Sequence, residues 1–112
     1  MRRGEAHMVL TWLVPPGQAR LIAAALQSVM LSTRQEVGCL GCLVSTSASD
    51  RVTVRYAEDW DTEEHLRLHV RSDRFRALAG LIETAIETPR VEFVLPDGTR
   101  GIEYAEEVCA AP

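Results

Sequence analysis

The segment Val52–Trp60 restricts the fold more than any other part of the chain. Val52, Val54, Tyr56, Glu58 and Trp60 fall on one side of an extended backbone, and Thr53, Arg55 and Asp59 on the other. A period of two marks a half-buried β-strand, with one face built for a core and one for water. Glu58 is the exception on the inward face. A carboxylate placed there needs a partner, and an arginine such as Arg74 is the plainest one. Directly after Trp60 the pattern changes. Asp61 can cap a helix, with Glu64 three residues on to complete a capping box and Thr62 as a rival cap. Leu66, His69 and Val70 give that helix an inward stripe.

The flanking pieces complete an alternation of strands and helices. Met8 to Val14 is an apolar, β-prone run stopped by Pro15-Pro16-Gly17, since proline has no N–H to give a ladder. Ile22, Ala25, Leu26, Val29 and Met30 then recur at helical spacing, and Gly38 is a natural stop. Cys39–Ser47 is a second strand candidate, weakened by Gly41, and Ser47-Ala48-Ser49-Asp50 has the composition of a hairpin turn. Past His69 the helix breaks and restarts near Ser72 or Asp73, where Phe75, Leu78, Ala79, Ile82 and Ile86 form a new stripe. Thr88-Pro89 ends it, Val91, Phe93 and Leu95 alternate as a fourth strand, and Pro96-Asp97-Gly98 makes a turn. Gly101–Val108 fits either a short strand or a helical turn. This order predicts an α+β fold, a ferredoxin-like βαββαβ arrangement with a four-stranded antiparallel sheet and helices on one face. The 112 residues make a single domain, with a core over about 7–96 and a C-terminal extension over 97–112.

Strand one is apolar on both faces, with Met8, Leu10 and Trp12 on one and Val9 and Leu13 on the other. A contiguous apolar patch is rarely left bare. A two-fold homodimer joining two sheets face to face is therefore expected over a monomer with a wetted second face. The net charge of −4 argues against a nucleic-acid partner, which requires clustered cations. The chain has no Lys, so Schiff-base chemistry is excluded. No apolar run approaches the ~20 residues that cross a bilayer. Glu5 and His7 interrupt the basic start Met1-Arg2-Arg3, which does not read as a signal peptide, so a cytoplasmic location without a membrane partner is expected. Cys39, Cys42 and Cys109 are an odd set. Cys39-x-x-Cys42 lies in a strand rather than at a helix N-terminus and lacks a second pair to close a zinc site, so buried thiols are expected over a redox or zinc role.

The run Tyr56-Ala-Glu58-Asp-Trp60, continuing through His69 to Ser72-Asp-Arg-Phe75, resembles the antibiotic biosynthesis monooxygenase family of dimeric α+β barrels. In that family's pattern a strand ending Glu-x-Trp precedes an amphipathic helix carrying His and then Ser-x-x-Phe. The Pro16-Gly17 turn and Gly38-Cys39 also fit, and the resemblance runs from about Met8 to Leu95. It implies a dimeric α+β barrel and, as activity, cofactor-independent oxidation of a small aromatic phenol or quinol by O2. Other members degrade haem, relying on an Asn in strand one. This chain contains no Asn, which disfavours haem degradation and leaves no cofactor expected.

By that resemblance His69 and Trp60 are the candidate catalytic residues, with Trp12, Tyr56, Glu58 and Phe75 as the candidate substrate-binding set. The His would move a proton and the Trp would line a cavity for a flat aromatic. The competing reading makes both plain core residues of a non-catalytic dimeric small-molecule-binding or interaction protein. His65 and His69, four apart, could share a helix face as metal ligands, with Glu58 and Glu64 to complete the site, but such pairs arise readily by chance and no metal site is expected.

Overall fold

Alternation along strand β1 (Ala6–Val14) sets the layering: Ala6, Met8, Leu10, Trp12 and Val14 are buried, while the residues between them are half-buried or exposed. A computed structural model describes residues 4–48, 52–85 and 87–111. After a 3-10 turn at Pro16–Gln18 come helix α1 (Ala19–Thr33), β2 (Cys39–Ala48), β3 (Val52–Trp60), α2 (Glu63–Val70), α3 (Asp73–Glu83) and β4 (Arg90–Leu95). Strand β5 (Gly98–Arg100) and helix α4 (Glu103–Ala110) follow. The sheet order is β2-β3-β1-β4-β5, every pairing antiparallel. The first four strands stand in the ferredoxin-like order. A fifth, from the extension, makes the sheet one strand wider than the four expected, and the sheet does not close into a barrel within one chain.

The inward faces of β1 and β3 meet the helices, and Leu26, Leu66, Val70, Phe75 and Leu78 complete the core. The extension resolves into a turn, a short strand and a helix rather than a loose tail. Tyr104 on α4 packs on Phe93 with ring centroids 5.0 Å apart and donates to Glu63 at 2.8 Å. The hairpin turn expected over Ser47–Asp50, the N-terminal residues Met1–Arg3 and the helix-stripe residue Ile86 lie wholly or partly outside the described residues.

The helical break near Ser72 is present and has a local cause. Ser72 adopts an extended backbone and its Oγ accepts from the Phe75 N–H at 3.3 Å, which starts α3 afresh. Helix α2 is capped by Thr62, whose Oγ1 accepts from the His65 N–H at 3.2 Å. Asp61, the first-choice cap from sequence, instead binds the His65 ring at 2.6 Å. In β2 a bulge between Cys39 and Gly41 sets Cys39 opposite Trp60 and Cys42 opposite Glu58, which puts both thiols on the helix side. Burial pushes the Cys42 thiol up to about 12 and also raises Cys39, so neither is a ready thiolate.

Each cap is worth about 1 kcal/mol. Thr62→Ala and Ser72→Ala are each expected to lower the thermal midpoint by about 4–8 °C, as suits a domain of this size. Calorimetry on the two variants checks this; no change for Ser72→Ala would mean the break between α2 and α3 is set by packing alone.

Candidate active site

The period of two that makes β3 a strand also stacks Tyr56, Glu58 and Trp60 on one face, so the Glu58 carboxylate is flanked by a phenol and an indole. Tyr56 Oη donates to Glu58 Oε2 at 2.6 Å, and Trp60 Nε1 donates to Oε1 at 3.0 Å. Helix α2 brings the third partner: His69 Nε2 lies 2.9 Å from Glu58 Oε2. Glu58, His69, Tyr56 and Trp60 all have 0% exposure. Thr33 Oγ1, at the end of α1, stands 3.4 Å from the Tyr56 hydroxyl. The partner of Glu58 is therefore a histidine with two neutral donors, and not Arg74.

The other ring nitrogen of His69 faces a second carboxylate. Nδ1 lies 2.6 Å from Glu36 Oε2, and Arg74 Nη1 lies 3.9 Å from Glu36 Oε1. A ring nitrogen can bond a carboxylate only by donating, so two carboxylates call for a proton on each nitrogen. Burial is the largest single influence on His69 and pulls its pKa down; the bonds and charges of Glu58 and Glu36 outweigh it and leave the imidazolium favoured above its ordinary value. Charges thus alternate along Arg74, Glu36, His69 and Glu58. The Trp60 ring lies against His69 with centroids 4.9 Å apart, and Phe75 meets its edge at 5.9 Å. Tyr56 is held protonated, first by burial and then by the charge of Glu58.

Five of the six residues nominated from the sequence come together here. Trp12 does not: it pairs with Val54, whereas Trp60 pairs with Ala6, a separation of roughly 20 Å along the strands. His65 turns away from His69 to Asp61, and no cluster suited to a metal occurs among the described residues. Glu36 and Thr33 were missed. They lie on α1 and the turn after it, more than twenty residues before Glu58, and nothing local marks them. Gly38 hints at that turn. Its φ of +90° is a conformation glycine adopts freely, and a Cβ there would collide with the His65 ring.

The sequence model of the antibiotic biosynthesis monooxygenase family matches residues 6–80, which include all of these groups. The chain belongs to the antibiotic biosynthesis monooxygenase family. Solved structures agree on the fold. A protein from Shewanella oneidensis superposes with a TM-score of 0.71 at 22% identity, covering 82% of this chain and 90% of its own. A conserved protein from Methanosarcina mazei gives 0.70 at 22% identity, covering 81% and 91%. A candidate antibiotic biosynthesis monooxygenase from Caulobacter crescentus gives 0.68 at 22% identity, covering 81% and 88%. None of the curated proteins matches this monooxygenase-family chain.

Removing one partner of a buried ion pair strands the other, at about 3–5 kcal/mol. Glu58→Ala is expected to lose that much in urea unfolding. The linkage has a definite sign. A histidine whose folded pKa is raised contributes stability fully below its unfolded value of about 6.5, and the contribution fades as pH rises through the folded value. Stability of the wild type is expected to decline on the alkaline side of neutrality while Glu58→Gln shows a flatter profile; equal profiles would mean His69 is not charged in the native state.

Proposed function

We propose that this family member is a cofactor-independent monooxygenase that oxidises a small aromatic phenol or quinol with O2, and that Glu58 and His69 handle its protons. The observation that carries this reading is the hydrogen-bonded Glu36–His69–Glu58 series, with His69 and Glu58 sealed in an otherwise apolar core. Such ion pairs can be replaced by apolar residues without loss of stability, so folding does not require them. Titratable groups in perturbed surroundings gather at functional sites. The family match and the Caulobacter crescentus candidate support the same class.

In this reading an anthrone-like substrate gives a proton to the Glu58 carboxylate and becomes an electron-rich anion. That anion reduces O2 directly, so the substrate itself is the reductant. The reacting CH2 carbon loses two hydrogens and gains one oxygen, and the other oxygen leaves as water: R2CH2 + O2 gives R2C=O + H2O. His69, holding a proton on each nitrogen, serves as the donor to the departing oxygen rather than as the first base. Trp60 and Phe75 provide the apolar wall against which a flat ring would lie. Oxygen uptake with a panel of anthrones and quinols tests this. His69→Ala and Glu58→Gln should each lower turnover by about 10²–10⁴-fold, and no uptake with any of the panel, or unaltered rates in both variants, would remove the assignment.

The second reading, a non-catalytic small-molecule-binding or interaction protein, is favoured by one observation. His69 has no exposed surface, and among the described residues every buried polar side-chain atom has a partner. The nearest link to water is Glu36, whose side chain is 16% exposed.

A homodimer through the open sheet face belongs to the same proposal. That face carries Glu5 and Asp59 toward one end of the strands, Arg55 and Arg90 toward the other, and Val9, Ala57, the exposed Leu43 and Glu92, which pairs with Arg90, between. A two-fold axis in the plane of contact and perpendicular to the strands lays the acidic end of one copy on the basic end of the next. Sedimentation of the purified protein should give a dimer, and Val9→Asp a monomer; a wild-type monomer at micromolar concentration would refute the pairing.

A further inference from the structure

Outside the Glu58 cluster the molecule offers a groove of about 450 Å³ between α1 and the edge strand β2, the paired thiols of Cys39 and Cys42, and a His7–Asp59 contact at 2.6 Å on the open sheet face. The observations go furthest at Glu36. This residue lies on the turn between α1 and β2, where no function reading of the sequence places chemistry. It is the one member of the charged series that touches both the sealed interior and the surface. Its Oε2 meets His69 Nδ1 at 2.6 Å, its Oε1 faces Arg74 Nη1 at 3.9 Å, and its side chain is 16% exposed beside an arginine that is 45% exposed. On the far side of the ring, Glu58 has 0% exposure.

We propose that Glu36 is the proton port of the buried site: a positioning residue through which His69 exchanges protons with water. The proposal rests on the reading of Glu58 and His69 as proton-handling groups and adds the route. Each transfer balances. Doubly protonated His69 passes the proton on Nδ1 to Glu36 Oε2 and is left as a neutral ring that keeps its Nε2–H. Glu36 releases that proton to water and returns one from water to Nδ1, so the net effect is exchange of the Nδ1 proton with solvent and every group is restored. No oxidant or further reactant takes part. Groups facing the ring are few. Glu58 and Trp60 come from β3, Glu36 from the turn and Phe75 from α3, with Arg74 behind Glu36 and the Cys39 thiol near enough to feel the Glu36 charge.

The turn is built to hold that carboxylate in place. The Asp61 N–H donates to the Gly38 carbonyl at 2.9 Å and the Cys39 N–H to the Glu36 carbonyl at 3.2 Å. The His65 ring sits where a side chain at Gly38 would be, so the turn is clamped to the start of α2. Glu36 is thereby fixed one imidazole away from Glu58 without being sealed in.

The test needs no substrate. The Nδ1–H proton of His69, observed by ¹⁵N NMR on the whole protein, reports exchange with water. In the wild type it should exchange much faster than the slowest backbone amides, which wait for global unfolding, and the rate should be insensitive to low urea. In Glu36→Gln the amide keeps the contact but cannot shuttle a proton, and exchange should slow by about a hundredfold, the scale of a general acid–base group. A residue that merely holds the fold together would do the opposite, since weakening it would speed exchange through local opening. Unchanged or faster exchange in Glu36→Gln overturns the port. So does wild-type exchange that only keeps pace with the slowest amides, which stands as a test even if the variant does not fold. Slow exchange in the variant together with no oxygen uptake on any phenol would retain the port and reject only the monooxygenase reading.

Discussion

A single buried carboxylate organises this molecule. Glu58 stands on the inward face of a central strand, where an unpaired charge is prohibitively expensive, and the surrounding chain is arranged to answer it. The strand answers twice through its own geometry, because residues two positions away share its face: Tyr56 donates from one side and Trp60 from the other. The third donor must come from a different element, and α2 supplies it at His69. That helix is short, its inward residues are Leu66, His69 and Val70, and Ser72 ends the run so that Phe75 on α3 can close over the imidazole edge. The break between the two helices, set locally by the Ser72 cap, is what lets Phe75 meet the ring of His69.

Supplying His69 raises the same difficulty a second time. An imidazolium in the core needs a counter-charge on its other nitrogen, which is why Glu36 is drawn in from the α1–β2 turn. The turn can come so close to α2 because Gly38 has no side chain. Through this chain of requirements, a local period-two pattern in β3 reaches out to fix a glycine twenty residues earlier. The stability of the arrangement is correspondingly collective. Removing any one member leaves a charge or a donor unmatched, so single substitutions report the penalty of the orphan rather than the worth of one contact.

The sequence was most informative where order is local. The alternation in β1 and β3, the stripe of α1 and the restart at Ser72 each depend on residues within a few positions, and all are where the pattern placed them. Glu58 was legible as an anomaly, being a carboxylate on an apolar face, but its partner was not, since arginine and histidine are equally plausible until α2 is docked. Glu36 left no trace, because nothing in a turn sequence states which helix will lie over it. Trp12 shows the opposite error. It lies on the inward face of β1, the side of the sheet that the site residues of β3 also face, yet the antiparallel register sets it opposite Val54 and away from Trp60. The extension after Pro96 misled for a third reason: GIEYAEEV suits strand or helix alone, and only the packing of Tyr104 and Val108 against the core selects the helix.

Tyr56 offers a further guide to how the site would treat a phenol, since it is one. Its hydroxyl sits 2.6 Å from Glu58, and there burial and the neighbouring negative charge both oppose ionisation, so the phenol keeps its proton. A substrate hydroxyl taking the place of Tyr56 would meet the same resistance. Proximity to a carboxylate therefore cannot by itself generate the electron-rich anion that the proposed oxidation requires. The anion becomes accessible only if the proton is carried off while positive charge stays beside Glu58. A doubly protonated His69 between two carboxylates would have that property, because a proton given from Nε2 to the departing oxygen is replaced there by the one Glu58 has received, while Nδ1 keeps its own. On this argument the charged series is what would separate a site that merely binds phenols from one that activates them.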